Sequence, residues 1–216
     1  MRNIRVTGRG FLKVPPDTTR LTITLRGMYP MYADALRHSA EDTEQLKDDM
    51  EKLGFPRKGL KTLSFNVDTE YESYKDRNGD YKRRFKGYQF THVVKLEFAN
   101  DNALLGKTLS VLAQSDLNPE FRISYTVKDP EAVKNELLDK AVKDAKAKAE
   151  VLTRAAGLSL GEIQTIDYSW GQLDIEFTPI SKDLRDNAMS CGSFALDIEP
   201  DDVEVSDTVT VVWEIS

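Results

Sequence analysis

Apolar and polar residues alternate along several stretches of the chain, with the period of two that is typical of half-buried β-strands. The first stretch covers residues 4–14 and ends at Pro15 and Pro16, which cannot donate to a sheet ladder. A second stretch covers residues 21–25. Later strands are predicted at residues 121–127, 163–170 and 205–215.

Three other segments place apolar residues at helical spacing. The first is predicted to run from Met31 to Leu53 and to end at Gly54, which suits the left-handed position after a helix. The second covers residues 101–115, with Asn100 as its N-cap. The third covers residues 130–156.

The helix predicted at residues 130–156 has the clearest boundary signals. Asp129 is a good N-cap, Pro130 suits the first helical position, and Gly157 predicts a Schellman ending. At about 1.5 Å per residue this helix is about 40 Å long, which is more than a small sheet needs to cover it. We therefore expect one end to reach a neighbouring subunit, so that Val151→Glu disturbs assembly before it disturbs folding.

Residues 60–98 are predicted to form a long β-hairpin that turns at Asn78 and Gly79, the favoured pair for a type I′ turn. Pairing across that turn predicts one buried apolar face and one solvated face. The apolar face is expected to hold Phe65, Val67, Tyr71, Tyr88 and Phe90. The opposite face is expected to hold Asp68, Glu70, Glu72, Arg83 and Gln89.

These elements predict an α+β protein with an antiparallel or mixed sheet and the order ββ-α-ββ-α-β-α-β-β. Residues 18–128 match a ferredoxin-like split βαβ core. The long helix at 130–156 and the C-terminal strands follow that core. No composition break justifies two independent domains, so one unit is predicted over residues 1–216, with a long irregular loop at 171–202.

The overall charge limits the classes of partner. The 216 residues carry a net charge of -6, whereas a general nucleic-acid binder needs a basic surplus, so no nucleic-acid partner is expected. No apolar run approaches the roughly 18–20 residues that span a bilayer, and no membrane insertion is expected. Strand-like sequence begins at once after Met1, so the location is predicted to be cytoplasmic as written, or periplasmic or secreted if a leader has been removed.

No group of residues in the sequence has the spacing of a catalytic or metal site, and neither enzymatic activity nor a cofactor is expected. His38, His92 and the lone Cys191 fall short of the roughly four paired ligands that a zinc site needs. No neighbouring base accompanies Cys191, so a nucleophilic role is not favoured and its role stays open. Gly8 and Gly10 in the first strand indicate a bulge or a close backbone approach.

Two oppositely charged segments are the main candidates for an interaction site. The hairpin carries basic residues around its turn, and the chain before the last strand is acidic without a basic residue. A solvated hairpin tip, a finger for an anionic surface, and head-to-tail contact between copies all remain open. The basic candidates are Lys82, Arg83, Arg84 and Lys86, and the acidic candidates are Asp201, Asp202 and Glu204.

Three segments together resemble the SIMPL-domain family, and they occur in the family's order over essentially the whole chain. The first is the opening strand with its two glycines and the two prolines that follow. The second is the alanine-rich helix and its exit, and the third is the closing strand after Pro200. The residues that carry the resemblance are Val6, Gly8, Gly10, Pro15 and Pro16, then Pro130, Ala141, Ala145, Ala149, Gly157 and Gly161, then Val209, Val211 and Trp213.

The resemblance implies a member of a broad, mostly bacterial family that is often exported to the periplasm or the outer membrane. It implies an α+β subunit that self-assembles, in some members into large channel-like rings, with no established enzymatic activity. We therefore expect a non-enzymatic, self-assembling structural or scaffolding protein. The alternative is a module that binds a ligand or an unidentified protein partner through the 171–202 loop, with Trp170, Phe177 and Phe194 as contacts.

Overall fold

The computed structural model describes residues 2–76, 78–168 and 201–216. In this part of the chain the elements follow one another in the predicted order, and the α+β class is confirmed. A 3-10 turn at Arg57–Gly59 is added. The strands and helices are β1 (Asn3–Val14), β2 (Thr18–Tyr29), α1 (Tyr32–Lys52), β3 (Lys61–Lys75), β4 (Tyr81–Ala99), α2 (Asn102–Gln114), β5 (Glu120–Thr126), α3 (Pro130–Ala155), β6 (Leu160–Asp167) and β7 (Val203–Ile215).

The described residues form two compact units. The first contains residues 2–17, 126–168 and 201–216, and the second contains residues 18–76 and 78–125. The first unit has a three-stranded antiparallel sheet in the order β1-β7-β6, and the second has a four-stranded sheet in the order β3-β4-β2-β5. Whether residues 1–216 act as one unit stays a prediction.

In the first unit, α3 packs across β1 and β7 along a narrow stripe of small side chains. The approach is close at the two glycines of β1. A Cβ atom on Gly8 would lie 2.0 Å from the carbonyl oxygen of Ala141, and one on Gly10 would lie 2.0 Å from that of Leu137. The pairing of β1 with β7 has no register shift, so the glycines serve close approach rather than a bulge. The buried stripe of α3 is Leu137, Ala141, Ala145, Ala149 and Thr153.

Both ends of α3 have the predicted caps. The side chain of Asp129 accepts a hydrogen bond from the backbone N–H of Ala132 at 2.9 Å. At the other end Gly157 has a φ of 69°, and Leu158 N–H donates to the carbonyl oxygen of Thr153 at 2.9 Å. This is the Schellman pattern that the sequence predicts.

The other two helices confirm one boundary prediction and correct another. α1 ends as expected, because Gly54 has a φ of 94° and the buried Phe55 donates its N–H back to Met50. The prediction of Asn100 as the N-cap of α2 was wrong. Asp101 takes that place, and its carboxylate accepts from two backbone N–H groups of the first turn, whereas the Asn100 side chain accepts from Thr19.

The second unit has the strand order of a ferredoxin-like split βαβ arrangement, as predicted. β2 lies between β4 and β5, and β3 forms one edge of the sheet. α1 packs against β2 and β4. The fully buried side chains of this unit include Leu21, Ile23, Leu25, Leu46, Met50, Phe90, Val94, Leu96 and Leu105.

Candidate interaction surface

Among the described residues, nothing else in the second unit covers the outer part of the β3–β4 hairpin. Every residue of β3 is exposed or half-exposed. In β4, all residues from Tyr81 to Lys86 are exposed, and burial begins at Gly87. The expectation of one buried face along the whole hairpin was therefore wrong, because α1 covers β2 and β4 and barely contacts β3.

The connection between the two strands spans residues 76–80 and differs from the predicted type I′ turn. In the described part of the connection only Gly79 has a positive φ, of 86°, whereas a type I′ turn requires positive φ at both central residues. The Asp76 carboxylate organises the turn. It accepts from the N–H groups of Asn78 and Asp80 and from Lys82 Nζ at 2.7 Å. The Lys82 bond, and then the backbone bonds, lower the pKa of Asp76.

A one-residue bulge in β4 changes which side chains share a face. Glu70 pairs with Gly87, but the next residue, Tyr71, pairs with Phe85, so Lys86 is the extra residue. Gly87 fits there because a Cβ atom would lie 2.6 Å from the carbonyl oxygen of Tyr29. The bulge reverses the faces of all β4 residues toward the turn relative to simple alternation.

The predicted place of Arg83 on the acidic face was wrong for this reason. Arg84, not Arg83, lies opposite Glu72 and forms an ion pair with it. Arg83 lies on the other face, where its guanidinium is 5.1 Å from the ring centroid of Tyr71. The register between the bulge and the turn therefore determines which face of the hairpin each basic side chain occupies.

The face that contains Arg83 is a ladder of aromatic rings, which we call the aromatic face. Tyr71 contacts Phe85 at 5.8 Å between ring centroids, Phe85 contacts Tyr88 at 5.2 Å, and Tyr88 contacts Tyr32 of α1 at 5.6 Å. Nearer the turn, Lys75 Nζ lies 5.0 Å from the ring centroid of Tyr81. The side chains of Tyr71, Tyr81 and Phe85 are 48%, 75% and 43% exposed.

The acidic groups around the turn of the hairpin lie on the opposite face or in the turn itself, and two of them have basic partners. Glu72 pairs with Arg84, and Asp76 pairs with Lys82. Of the four predicted basic site residues, two are thus occupied within the hairpin and Lys86 sits in the bulge. Only Arg83 belongs to the aromatic face, and the sequence analysis did not single out its companion, Lys75.

The predicted acidic site residues lie at the start of β7, in the first unit. Glu204 forms an ion pair with Lys13 of β1 at 2.9 Å. Asp201 and Asp202 are exposed and form no ion pair with any described residue. The hydrogen bond from Lys13 to Glu204, followed by the nearby carboxylates, raises the pKa of Lys13. This segment therefore has an excess of negative charge.

A groove beside α1 contains a buried histidine. The groove has a volume of about 320 Å³, and its lining includes Leu36, Phe65 and His92. Both ring nitrogens of His92 are within hydrogen-bonding distance of a threonine hydroxyl, Nδ1 of Thr43 and Nε2 of Thr62, each at 2.9 Å. Burial, and then the charge of Lys47, lower the pKa of His92.

Several sequence predictions concern residues or properties that the structure does not test. Trp170, Phe177, Phe194 and Cys191 lie outside the described residues, as does nearly all of the 171–202 loop. Within residues 2–76, 78–168 and 201–216, no three His, Cys, Asp or Glu side chains are grouped to hold a metal ion. No helix in the same ranges is long and apolar enough to cross a membrane.

Comparison with known proteins gives matches over most of the chain. The model of the SIMPL family, described as a protein of unknown function (DUF541), matches residues 4–213. The 26 kDa periplasmic immunogenic protein of Brucella melitensis biotype 1 is 28% identical over 163 residues, which are 76% of this chain and 65% of that protein. The protein of the same name from Brucella abortus strain S19 is 27% identical over the same shares. The match thus spans 65% of the length of these curated relatives.

Proposed function

Since the chain belongs to the SIMPL family, we propose that it is a non-enzymatic structural protein of the cell envelope that associates with copies of itself. The family description assigns no function, so the proposal depends on the geometry of this chain. The observation that carries it is the exposed aromatic face of the β3–β4 hairpin.

The aromatic face has the composition of a protein interface. Interfaces are enriched in tyrosine, phenylalanine and arginine, and exposed apolar patches rimmed by polar groups mark contact sites. Tyr71, Tyr81 and Phe85 are exposed and in contact with one another or with a stacked cation. β3 is also a sheet edge with unpaired backbone groups, a further place where chains associate.

The first unit also exposes apolar side chains that favour association. Val151 and Leu152, near the end of α3, are 62% and 52% exposed, and Ile163 and Ile166 of the edge strand β6 are similarly exposed. The length of α3 and the position of Val151 predict a contact with a neighbouring subunit at this end of the helix. Two distinct apolar areas on one chain suit an assembly of more than two copies.

The proposed location is the periplasm. Both curated relatives are named as periplasmic proteins, whereas nothing in the comparisons supports the cytoplasmic alternative. The non-enzymatic part of the proposal is supported by the hydrogen-bonding of His92, whose ring nitrogens are both engaged by threonines within the fold.

Light scattering coupled to gel filtration tests the proposal, at several protein concentrations and across a salt series. We expect one discrete mass that is a multiple of the 24.4 kDa chain and that falls as salt screens the charged contacts. A mass of 24.4 kDa at high protein concentration and low salt would overturn the proposal.

A further inference from the structure

We propose that the aromatic face of the hairpin docks onto the acidic segment at the start of β7 in a second copy of the chain. The contact is head to tail, between two different surfaces. This inference rests on the proposed self-association and names the surfaces that carry it.

The aromatic face requires a partner that brings carboxylates. From Thr69 to Lys75 and from Tyr81 to Tyr88, the described residues on this face include Lys75 and Arg83 but no Asp or Glu. Neither cation forms an ion pair with a described residue, and each lies over a tyrosine ring. A cation over a ring keeps most of its charge available to an approaching anion.

Two of the basic residues that do not belong to the aromatic face form ion pairs within the hairpin. Lys82 and Arg84 each have a carboxylate within the hairpin. The register after the bulge at Lys86 places Lys82 and Arg84 on one face and Arg83 with Lys75 on the other. Among the described residues, Lys75 and Arg83 have no carboxylate partner in the hairpin, and both are thus on the aromatic face.

The acidic segment supplies the matching chemistry. Asp201 and Asp202 are exposed and form no ion pair with a described residue, and Glu204 adjoins them with Lys13 as its partner. The whole chain has a net charge of -6, so copies repel one another except where a basic surface meets an acidic one. This favours the acidic segment as the place where the hairpin of a neighbour docks.

Contact between two hairpins is disfavoured by the same charges. A twofold arrangement would bring Lys75 and Arg83 of one copy near Lys75 and Arg83 of the other. Docking of unlike surfaces avoids this, and it leaves each copy with one hairpin and one acidic segment free to continue the assembly. Such contacts close into a ring if the rotation allows it, and otherwise form a filament.

Charge reversal of each surface tests the pairing. One variant carries Lys75→Glu and Arg83→Glu, and a second carries Asp201→Lys and Asp202→Lys. Each variant alone then has two surfaces of the same sign, so we expect both to be monomeric by light scattering at a concentration where the unmodified chain assembles. Mixed in equal amounts, the two variants again present opposite surfaces to each other, and we expect assembly to return.

The face opposite the aromatic face supplies a matched control. Lys82→Glu with Arg84→Glu changes the same number of charges in the same hairpin but on the opposite face, and we expect assembly to persist. Circular dichroism and the Tm of each variant establish that it is folded.

The outcomes separate the two proposals. A monomeric unmodified chain removes self-association itself. If the unmodified chain assembles and either variant also assembles alone, or if the mixture stays monomeric, the pairing of these two surfaces is wrong while self-association stands. Binding of the unmodified chain but not the hairpin variant to vesicles of anionic lipid, without assembly, would assign the aromatic face to a membrane surface instead.

Discussion

Gly8 and Gly10 allow the backbone of β1 to touch the backbone of α3. The carbonyl oxygens of Leu137 and Ala141 occupy the space that a Cβ atom on Gly10 or Gly8 would need. The backbone N–H of Arg9, between the two glycines, donates to the Asp144 carboxylate of α3 at 2.8 Å. The packing of α3 on β1 therefore requires glycine, the residue without a side chain, at both positions.

Replacement of Gly10 by alanine should destabilise the first unit. The new Cβ atom would lie 2.0 Å from the carbonyl oxygen of Leu137, which is backbone and must move. We expect the free energy of unfolding, measured in urea, to fall by about 1–3 kcal/mol or more. Arg9→Ala, on the exposed face of the same strand, is the control and should change it by less than about 0.5 kcal/mol. Equal stability of Gly10→Ala and the unmodified chain would contradict the close approach.

The hydrogen bonds of His92 determine its tautomer. Thr43 has one hydroxyl hydrogen, which it donates to the Ser39 carbonyl oxygen at 2.7 Å. Thr43 must then accept from His92 Nδ1, and Nε2 accepts from the hydroxyl of Thr62. Nitrogen NMR should find the Nδ1–H form, and the Nε2–H form would contradict this network.

Because the pKa of His92 is lowered in the folded protein, the free energy of unfolding should decrease at acidic pH. The folded protein keeps this ring neutral, while the unfolded chain takes up a proton near the ordinary pKa of 6.5. The contribution to stability is therefore complete above about pH 6.5 and is lost as pH falls toward the lower folded pKa. Urea unfolding between about pH 7.5 and about pH 5 should show a steeper loss for the unmodified chain than for His92→Gln. An NMR titration of His92 with a midpoint above 6.5 would refute the assignment.

At the scale of the elements, the sequence predicts helix boundaries most closely, because the residues that cap a helix are close to it in sequence. Asp129 and Gly157 lie within a few residues of the backbone groups that they satisfy. Asn100 is also a good cap by residue type, but its side chain accepts the tertiary hydrogen bond from Thr19, and Asp101 caps α2 instead. One-residue differences of that kind depend on contacts distant in sequence.

In the β3–β4 hairpin, the local sequence pattern does not predict which side chains share a face. Its existence and its strands follow from alternation, but its face assignment depends on whether Lys86 is accommodated as an extra residue. Next to the bulge, Gly87 approaches the backbone of Tyr29 in the neighbouring strand too closely for a Cβ atom to fit. Nothing near the turn in sequence carries this information, so the site residues were predicted as one basic cluster rather than two faces.

Val151 on α3 allows a test of assembly at the level of one element. Because its side chain is 62% exposed, Val151→Glu should leave the Tm nearly unchanged while reducing the mass in solution. Ala132→Glu adds the same charge to an exposed position in the first turn of α3, where acids are favourable, and should preserve assembly. Loss of stability in Val151→Glu, or equal masses for both variants, would argue against a contact at this end of the helix.

At the scale of the whole molecule, the first unit is assembled from distant parts of the chain. Thr7 of β1 and Thr210 of β7 share a hydrogen bond of 2.8 Å, although they are 203 positions apart. The second unit occupies the sequence between β1 and α3. Composition does not change at these crossings, which is why no boundary is visible in the sequence.

The charges of the two units give the chain two unlike surfaces. The second unit exposes cations on an aromatic face, and the first exposes carboxylates before β7. In a chain with a net charge of -6, we expect this arrangement to favour specific contacts between copies over general aggregation.

The most direct measurement compares the masses in solution of two aromatic variants of the hairpin, by sedimentation velocity, with that of the unmodified chain. Tyr81→Ser combined with Phe85→Ser removes side chains from the aromatic face, whereas Tyr74→Ser removes a similarly exposed ring from the opposite face. We expect the double variant to sediment as a 24.4 kDa monomer while the unmodified chain and Tyr74→Ser remain assembled. An assembled double variant with the mass of the unmodified chain would contradict the claim that the aromatic face is the interface.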